Sequence, residues 1–339
     1  MNKNLIAIAI TAALAVPSIA AAEVKIIGQA QLELVSTSGD ATEGLTLDDS
    51  SESGVVGSGN ASMIGVTGSH DLGNGMTALY KVNFNFFSDD LANPGEQNTL
   101  KDRDQFIGLK GDFGTVLAGT MNTPYKSTTA SWDPFLATFL QARGNNGMSK
   151  TGGLYNSYGQ NVLAYANTFG GTKVVVGVNF DESSDDTAGE RDGSHGFHLG
   201  VNAPIGSNLE LAFGLLTESE DSGTNKSGTA TKIGLKWKGD GMSVAGQFET
   251  ENEDMPVEQD HLYVNFVKEL GEGASAAIAF GQSTDNSTAE NDGTYVSLGY
   301  KKALSKQVSW HGGVVMIDEG IVGANKDVTQ IGAGMRVKF

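Results

Sequence analysis

The side chains best suited to catalysis or metal binding are few in this sequence. Its histidines are His70, His195, His198, His261 and His311. Histidine binds metals and transfers protons near neutral pH, but no His-x-x-x-His or His-Glu motif accompanies them. No nucleophile elbow, phosphate-binding loop or dinucleotide fingerprint occurs in a strand-turn-helix context either. We therefore predict no enzyme activity, no metal site and no cofactor.

A second group of chemically useful residues is basic and regularly placed. Lys81, Lys232, Lys236 and Arg336 occupy polar positions in segments where apolar and polar residues alternate. Charges that line a hydrated passage raise the local concentration of counter-ions and so select solutes by charge. The alternative is that these side chains only solvate a polar surface.

The alternation itself predicts β-strands. From position 329 to 339 the odd positions are apolar except for Thr329, and the positions between them are polar or glycine. The same period of two occurs at 80–86, 174–180, 232–238 and 262–266. A strand separates such sets onto two faces, whereas a helix spreads them around its axis. On periodicity alone, a water-soluble β-sandwich remains an alternative.

The lengths and connections of the segments favour a membrane barrel. We count about sixteen segments of about ten residues, which suits tilted membrane-spanning strands. They begin near positions 24, 60, 76, 103, 115, 161, 172, 195, 208, 228, 241, 260, 273, 293, 306 and 327. Short connections rich in Gly, Asn and Asp alternate with long ones, as in barrels with tight turns at one end. We predict an all-β, up-and-down antiparallel transmembrane barrel with an apolar outside and a water-filled lumen.

The composition excludes several other classes of protein. The chain has 0 cysteines, so disulfides and thiol chemistry are absent. Its 46 glycines suit tight turns and lack the three-residue period of collagen. The net charge of −18 argues against nucleic acid as a partner, because phosphate binding needs a basic surface.

The first 22 residues have the pattern of a cleaved secretory signal peptide. Lys3 gives a basic start, an apolar run extends from Leu5 to Val16, and small residues at 20–22 provide a cleavage site. The apolar run is too short for a membrane anchor, and Pro17 interrupts its end. We expect export and a mature barrel domain of residues 23–339.

Two stretches carry a resemblance to a known family. Residues 61–80 (ASMIGVTGSHDLGNGMTALY) resemble the second and third strands of general Gram-negative porins, and residues 104–120 (DQFIGLKGDFGTVLAGT) resemble the fourth and fifth. Phe339, at the end of an alternating strand, is similar to the signal read by the outer-membrane assembly machinery. The resemblance implies a homotrimer of sixteen-stranded barrels in the outer membrane of a Gram-negative cell, in contact with lipid and lipopolysaccharide.

The resemblance also implies that a long third loop folds into the pore and narrows it. Here that loop is residues 122–159, and its middle, 131–143 (SWDPFLATFLQAR), is compatible with a short helix. The helix would begin after Asp133, with Pro134 at its first position. A solvated external loop is the alternative.

Charge selection at such a constriction depends on the wall opposite the loop. Porins of this kind commonly carry basic residues at positions that match Met63, Thr67, Thr120 and Ala164, and none of these is basic here. The residues that remain for the constriction are Asp133 and Arg143 in the loop and Lys81, Lys232, Lys236 and Arg336 on the wall. With so acidic a chain and a depleted basic wall, we predict a weak preference for cations. A near-neutral constriction is the alternative, because much of the acidic charge lies in long loops.

The predicted function is passive diffusion of ions and small hydrophilic solutes through an outer-membrane channel. One alternative is a substrate-specific channel with a binding path lined by Trp132, Tyr155 or Tyr158. Another is a structural or adhesive barrel with a plugged lumen.

Overall fold

A computed structural model describes ten stretches of the chain. They are residues 23–39, 43–48, 61–86, 100–148, 158–180, 195–219, 228–253, 258–285, 292–321 and 324–339. The predicted signal peptide, Tyr155 and most of the long connections lie outside the described residues. Within the stretches given above, no helix is long and apolar enough to cross a membrane.

These residues form one antiparallel sheet of 17 strands. The strands are β1 (Glu23–Gly39), β2 (Gly44–Asp48), β3 (Met63–Gly73), β4 (Met76–Asn85), β5 (Lys101–Gly111), β6 (Gly114–Asn122), β7 (Tyr158–Phe169), β8 (Thr172–Phe180), β9 (His195–Ile205), β10 (Leu209–Ser219), β11 (Gly228–Gly239), β12 (Met242–Glu253), β13 (Gln259–Gly271), β14 (Ala274–Asp285), β15 (Gly293–Ala303), β16 (Val308–Ile321) and β17 (Ala324–Lys338).

Strand β1 closes the sheet into a barrel. On one side it pairs with β17, from Gln29 opposite Lys338 to Gly39 opposite Val328. On its other side it pairs with β3 through residues 23–29 and with β2 through residues 33–37. Strands β2 and β3 therefore share one position, and the 17 strands form a closed wall of 16 positions. This confirms the predicted fold class, although β2 was not predicted.

The two faces of the wall follow the predicted alternation. On β3, Ile64 and Val66 are exposed on the outside, and Thr67, the residue after Val66, is half-buried on the inside. Large apolar side chains recur on the outer face, including Ile107 at 69% and Ile331 at 62% exposure. Because hydrocarbon cannot hydrogen-bond to a backbone, a closed ladder with an apolar outside suits a membrane.

Part of the inner face differs from the predicted polar lumen. Val35, Tyr295, Val315, Ile317 and Val328 point inward, and all are buried. They form one apolar cluster with side chains from the connection between β6 and β7. Alternation identifies the inner face of a strand, but it does not show where another segment covers that face.

The outward direction of β3 can be tested by placing a charge on either side of it. Val66 lies between Ile26 and Val82 on the outer face, so Val66→Arg should destabilise the barrel by about 2–4 kcal/mol if it lies near the midplane. The matched control is Thr67→Arg, one residue further along on the inner face, which should change stability by less than about 1 kcal/mol. Urea unfolding in lipid vesicles measures both changes. Equal destabilisation by the two variants would contradict the assignment of faces.

Candidate functional site

The connection between β6 and β7, called loop 3 here and described to Met148, begins with a short helix. Helix α1 spans Pro124–Ser127, and the Thr123 hydroxyl caps it by accepting a hydrogen bond from the backbone N–H of Lys126 at 3.1 Å. A proline occupies the first turn, as expected for the start of a helix, but it is Pro124 and not the predicted Pro134. A 3-10 helix follows at Ala130–Trp132.

The helix predicted to begin after Asp133 is wrong. The Asp133 carboxylate accepts hydrogen bonds from the backbone N–H of Phe135 and of Ala142, both at 2.8 Å, and so folds the chain back on itself. Ala137 has a φ of +58°, in the left-handed region, which interrupts a right-handed helix. Residues 134–140 therefore form successive turns.

Loop 3 is hydrogen-bonded to inward-facing side chains from several strands. The backbone N–H of Phe139 donates to the Glu33 carboxylate at 3.1 Å, and Arg336 Nη2 donates to the carbonyl of Ala137 at 2.6 Å. Further donors to loop carbonyls are Gln31 to Ala137, Lys301 to Pro134, Asn265 to Trp132, Tyr295 to Leu140 and Asn202 to Thr128. These donors lie on β1, β9, β13, β15 and β17, so the loop lies against the inner side of the wall.

Glycines on the inner face make room for this loop. A Cβ atom at Gly299 would lie 2.7 Å from side-chain atoms of both Leu140 and Phe135, and one at Gly281 would lie 2.2 Å from the Cα of Gly147. Similar close approaches to loop 3 occur at Gly200, Gly214, Gly234 and Gly313. The loop can approach the strands closely because these positions carry no side chain.

The Glu33 carboxylate binds loop 3 and also contacts a histidine on β16, which lies two strand positions away in the sheet. Its Oε1 contacts the imidazole Nε2 of His311 on β16, across the intervening strand β17. The residue between them is Gly334, which pairs with both Glu33 and His311. His311 therefore supports the anchor of the loop. Among the described residues, no group of three or more His, Asp or Glu side chains is placed to hold a metal ion.

Basic residues of loop 3 and of the wall lie against aromatic rings. Lys126 Nζ is 4.6 Å from the centroid of the Tyr158 ring, and Lys232 Nζ is 3.8 Å from that of Tyr125. Lys236 Nζ is 5.9 Å from the Trp132 ring. Cations at such distances over a ring face are attracted by its quadrupole, which fixes their positions without neutralising them.

Three acidic groups in and beside loop 3 are already paired. Asp104 forms an ion pair with Lys81, and Glu249 accepts a hydrogen bond from the Tyr125 hydroxyl at 2.5 Å and lies 3.5 Å from Lys232 Nζ. Asp133 is 3% exposed, with both oxygens bonded to backbone N–H groups of its own loop. Burial raises the pKa of the Asp133 carboxyl above its usual value, against the opposing effect of these two bonds.

The structure brings together some of the predicted constriction residues and separates others. Arg143 and Lys232 line one cavity together with Lys126, which the sequence analysis did not identify. Lys236 lies over Trp132 of loop 3, and Arg336 donates to the carbonyl of Ala137 in the same loop. Lys81 pairs with Asp104, which lies close enough to Lys126 to affect its pKa. Burial and the nearby Arg143 and Arg103 lower the pKa of Lys126 to about 6.

The four positions compared with other porins do not share one face. The side chains of Met63 and Thr67 lie on the inner side of β3, and Ala164 packs with buried residues inside the barrel. Thr120 pairs with Gln105, which in turn pairs with the outward-facing Val82, so Thr120 lies on the outer side of the wall. Thr120 therefore carries no information about the charge of the lumen.

Comparison with known proteins agrees with this architecture. Residues 9–320 match the family described as Gram-negative porin. The chain is 28% identical to outer membrane porin protein 32 of Delftia acidovorans, over 98% of this chain and 92% of that protein. It is 32% identical to the major outer membrane protein P.IB of Neisseria gonorrhoeae over 39% of this chain, and this match covers only 35% of that relative.

A solved structure gives the same result for the fold. The structure described as the anion-selective porin from Comamonas acidovorans superimposes with a TM-score of 0.77, at 19% identity, over 94% of this chain and 100% of that one. The closed antiparallel wall and the family match over residues 9–320 together show that this chain belongs to the Gram-negative porin family and resides in the outer membrane.

Proposed function

We propose that the protein is a channel for the passive diffusion of ions and small hydrophilic solutes, and that its constriction prefers anions. The observation that carries the preference is the pair of basic side chains Arg143 and Lys232 around one cavity beside loop 3, where Lys126 adds a third charge only below its pKa of about 6. Charges at the narrowest part of a pore act at close range on every permeating ion.

Loop 3 is proposed to form that narrowest part. Its backbone is fastened to inward-facing side chains on opposite sides of its path, by Glu33 and Arg336 at one end and by Asn202 at the other. A segment held in this way occupies part of the lumen. The remaining space between loop and wall is the path left for solutes.

The cation preference predicted from the net charge has no support from these contacts. The −18 charge describes the whole chain, whereas the field at a constriction is set by groups within about 8–10 Å at physiological salt. Nearby acidic groups such as Asp104 and Asp133 are occupied by a lysine or by backbone donors. The similar Comamonas protein is described as anion-selective, which is in keeping with this proposal.

We also propose a homotrimer that is inserted by the outer-membrane assembly machinery. The backbone of Phe339 exchanges two hydrogen bonds of 2.9 Å with Gly28, so the last residue completes the closing ladder. Its ring is 57% exposed and lies over Gly28. An aromatic C-terminal residue on the outer face of the closing strand suits a role in recognition before closure.

The selectivity is tested by the reversal potential across a bilayer that separates two KCl concentrations. We expect the wild-type channel to prefer chloride, and Arg143→Gln to move the chloride-to-potassium permeability ratio toward one because a cation beside the path is lost. Lys173→Gln is the matched control, since it removes a charge from an exposed position near a tight turn. Potassium preference in the wild type would overturn the proposal, and a protein that conducts no ions would favour a plugged structural barrel.

The lowered pKa of Lys126 predicts a pH dependence. With a pKa of about 6, Lys126 is largely neutral above that value and gains a positive charge as the pH falls below it. The preference for anions should therefore rise between pH 8 and pH 5, measured again by reversal potentials. Lys126→Met isolates this residue from carboxylates that titrate in the same range. An identical pH profile in wild type and variant would contradict the role of Lys126.

The role of Arg336 in holding loop 3 predicts a change in channel noise. Arg336→Met removes donors to Gln31 Oε1 at 2.5 Å and to the Ala137 carbonyl at 2.6 Å, so the part of the loop around Ala137 should fluctuate more. Single-channel recordings should show a broader open level and more frequent partial closures. Lys338→Met, which removes an equal charge from the exposed end of the same strand, should record like the wild type. If the recordings of both variants show the same open level and the same frequency of partial closures as the wild type, Arg336 does not restrain the loop.

A further inference from the structure

The imidazole of His311 is buried in the wall and contacts a buried carboxylate. His311 is 2% exposed and Glu33 is 1% exposed, and Nε2 of the histidine meets Oε1 of the glutamate across β17. The space for this contact is at Gly334, where a Cβ atom would lie 2.6 Å from Cγ of Glu33 and 2.8 Å from Nε2 of His311. A larger residue at this position would separate the pair.

The same carboxylate is bonded to the backbone of loop 3. The N–H of Phe139 donates to both oxygens of Glu33, at 3.3 Å to Oε1 and at 3.1 Å to Oε2. The ring of Phe139 also lies near the imidazole of His311, with 6.4 Å between the ring centroids. Glu33 therefore connects His311 with the loop, and a change in the charge of His311 acts on this connection.

Two cations near His311 oppose a positive charge on its ring. Lys301 of β15 pairs directly with His311 in the sheet, and Arg336 faces inward on the adjoining strand β17. Like charges disfavour the protonated form of a histidine. Both cations also donate to loop 3, Lys301 to the carbonyl of Pro134 and Arg336 to that of Ala137.

Carboxylates near His311 favour a positive charge on its ring. Glu33 is in direct contact with the imidazole and so acts at the shortest distance, and Coulomb energy falls with distance. Asp133 of loop 3 lies close enough to Lys301 to interact with its charge, and Asp48 occupies the register position of β2 opposite Glu33. The charge of His311 is thus governed mainly by its contact with Glu33.

We propose that His311 is a positioning residue for loop 3, and that a proton on its ring strengthens the restraint that Glu33 places on the loop. Histidine side chains gain a proton between about pH 8 and pH 5. The neutral ring can donate a hydrogen bond to the carboxylate, and in the charged ring the same bond is also an ion pair. The inference goes beyond the proposed function, because it concerns how the loop is held and not which ions pass.

The cost of a buried charge gives the direction of the effect. A carboxylate inside a protein is costly unless an opposite charge compensates it. Protonated His311 compensates Glu33, so the carboxylate remains in the wall beside the N–H of Phe139. The additional restraint is therefore present at the acidic end of the range and is lost as the pH rises and His311 releases its proton.

Amide hydrogen exchange in the full-length protein in detergent tests the inference. The N–H of Phe139 is the reporter, and its exchange rate is compared between wild type and His311→Gln at the same pH, so that the pH dependence of the exchange chemistry cancels. Glutamine keeps a donor near the position of Nε2 but takes up no proton. We expect exchange to be about tenfold faster in the variant at pH 5.5 and similar in both proteins at pH 8, because a charged donor bonds more strongly than a neutral one.

Further variants separate the effect of the proton from the effect of packing. Glu33→Gln removes the partner charge and should abolish the pH dependence as His311→Gln does, so each variant serves if the other does not refold, as judged by circular dichroism. Gly334→Ala places a methyl group between the two side chains and should speed exchange at both pH values. His195→Gln, at the exposed start of β9, is the matched control and should exchange as the wild type does.

A ratio of the two exchange rates that is the same at pH 5.5 and pH 8 would overturn the inference, because His311 would then act by packing alone. In single-channel recordings, partial closures of the wild type should be rarer at pH 5.5 than at pH 8, and those of His311→Gln should change less. The same change in both proteins would also overturn it. Hydrogen exchange needs no ion flow. A barrel that shows the expected exchange but does not conduct thus refutes only the proposed function, and a chloride-preferring channel without this exchange pattern refutes only the inference.

Discussion

Closure of the sheet is the constraint on which the rest of this molecule depends. Within hydrocarbon every backbone N–H and C=O must find a partner inside the protein, and an open sheet leaves two unpaired edges. The pairing of β1 with β17 removes both edges, and Phe339 contributes the last two bonds through Gly28. Once the wall is closed, the alternation of side chains leaves one apolar face for lipid and one inner face for function.

The inner face is specialised by glycine and by long polar side chains at the same time. Glycines such as Gly281 and Gly299 leave space on the inner face where loop 3 approaches it. Glu33 and Arg336 form hydrogen bonds with the loop backbone. Both features meet at Gly334. Because this residue has no side chain, the Glu33 carboxylate and the His311 imidazole contact each other across β17. The loop is therefore positioned by the wall, and a change in the wall is expected to move the loop.

Much of the barrel followed from the sequence, because a period of two and tight-turn residues are local signals. The start of each predicted strand lies within three residues of an observed one, and β2 was missed because Gly44–Asp48 is short and belongs to a long connection. The inward direction of Lys81, Lys232 and Arg336 was predictable in the same way. The partners of Lys232, Tyr125 and Glu249, lie 107 and 17 positions away and become neighbours only through loop 3 and the register of β12. Lys126 was missed because no periodicity extends into a loop.

The difference between overall and local charge explains why the net charge of the chain does not predict the selectivity of a pore. Net charge sums over the chain, but screening limits each group to its surroundings, and pairing reduces the effect of an acid within a wall. Asp133 illustrates the second point, since both of its oxygens accept backbone N–H groups and hold the turns of loop 3 together. Arg143, ten residues further on, keeps its Nε without a partner beside the cavity. The acid in this part of the loop thus maintains the shape of the loop, and in the proposed channel Arg143 is the group left to interact with solutes.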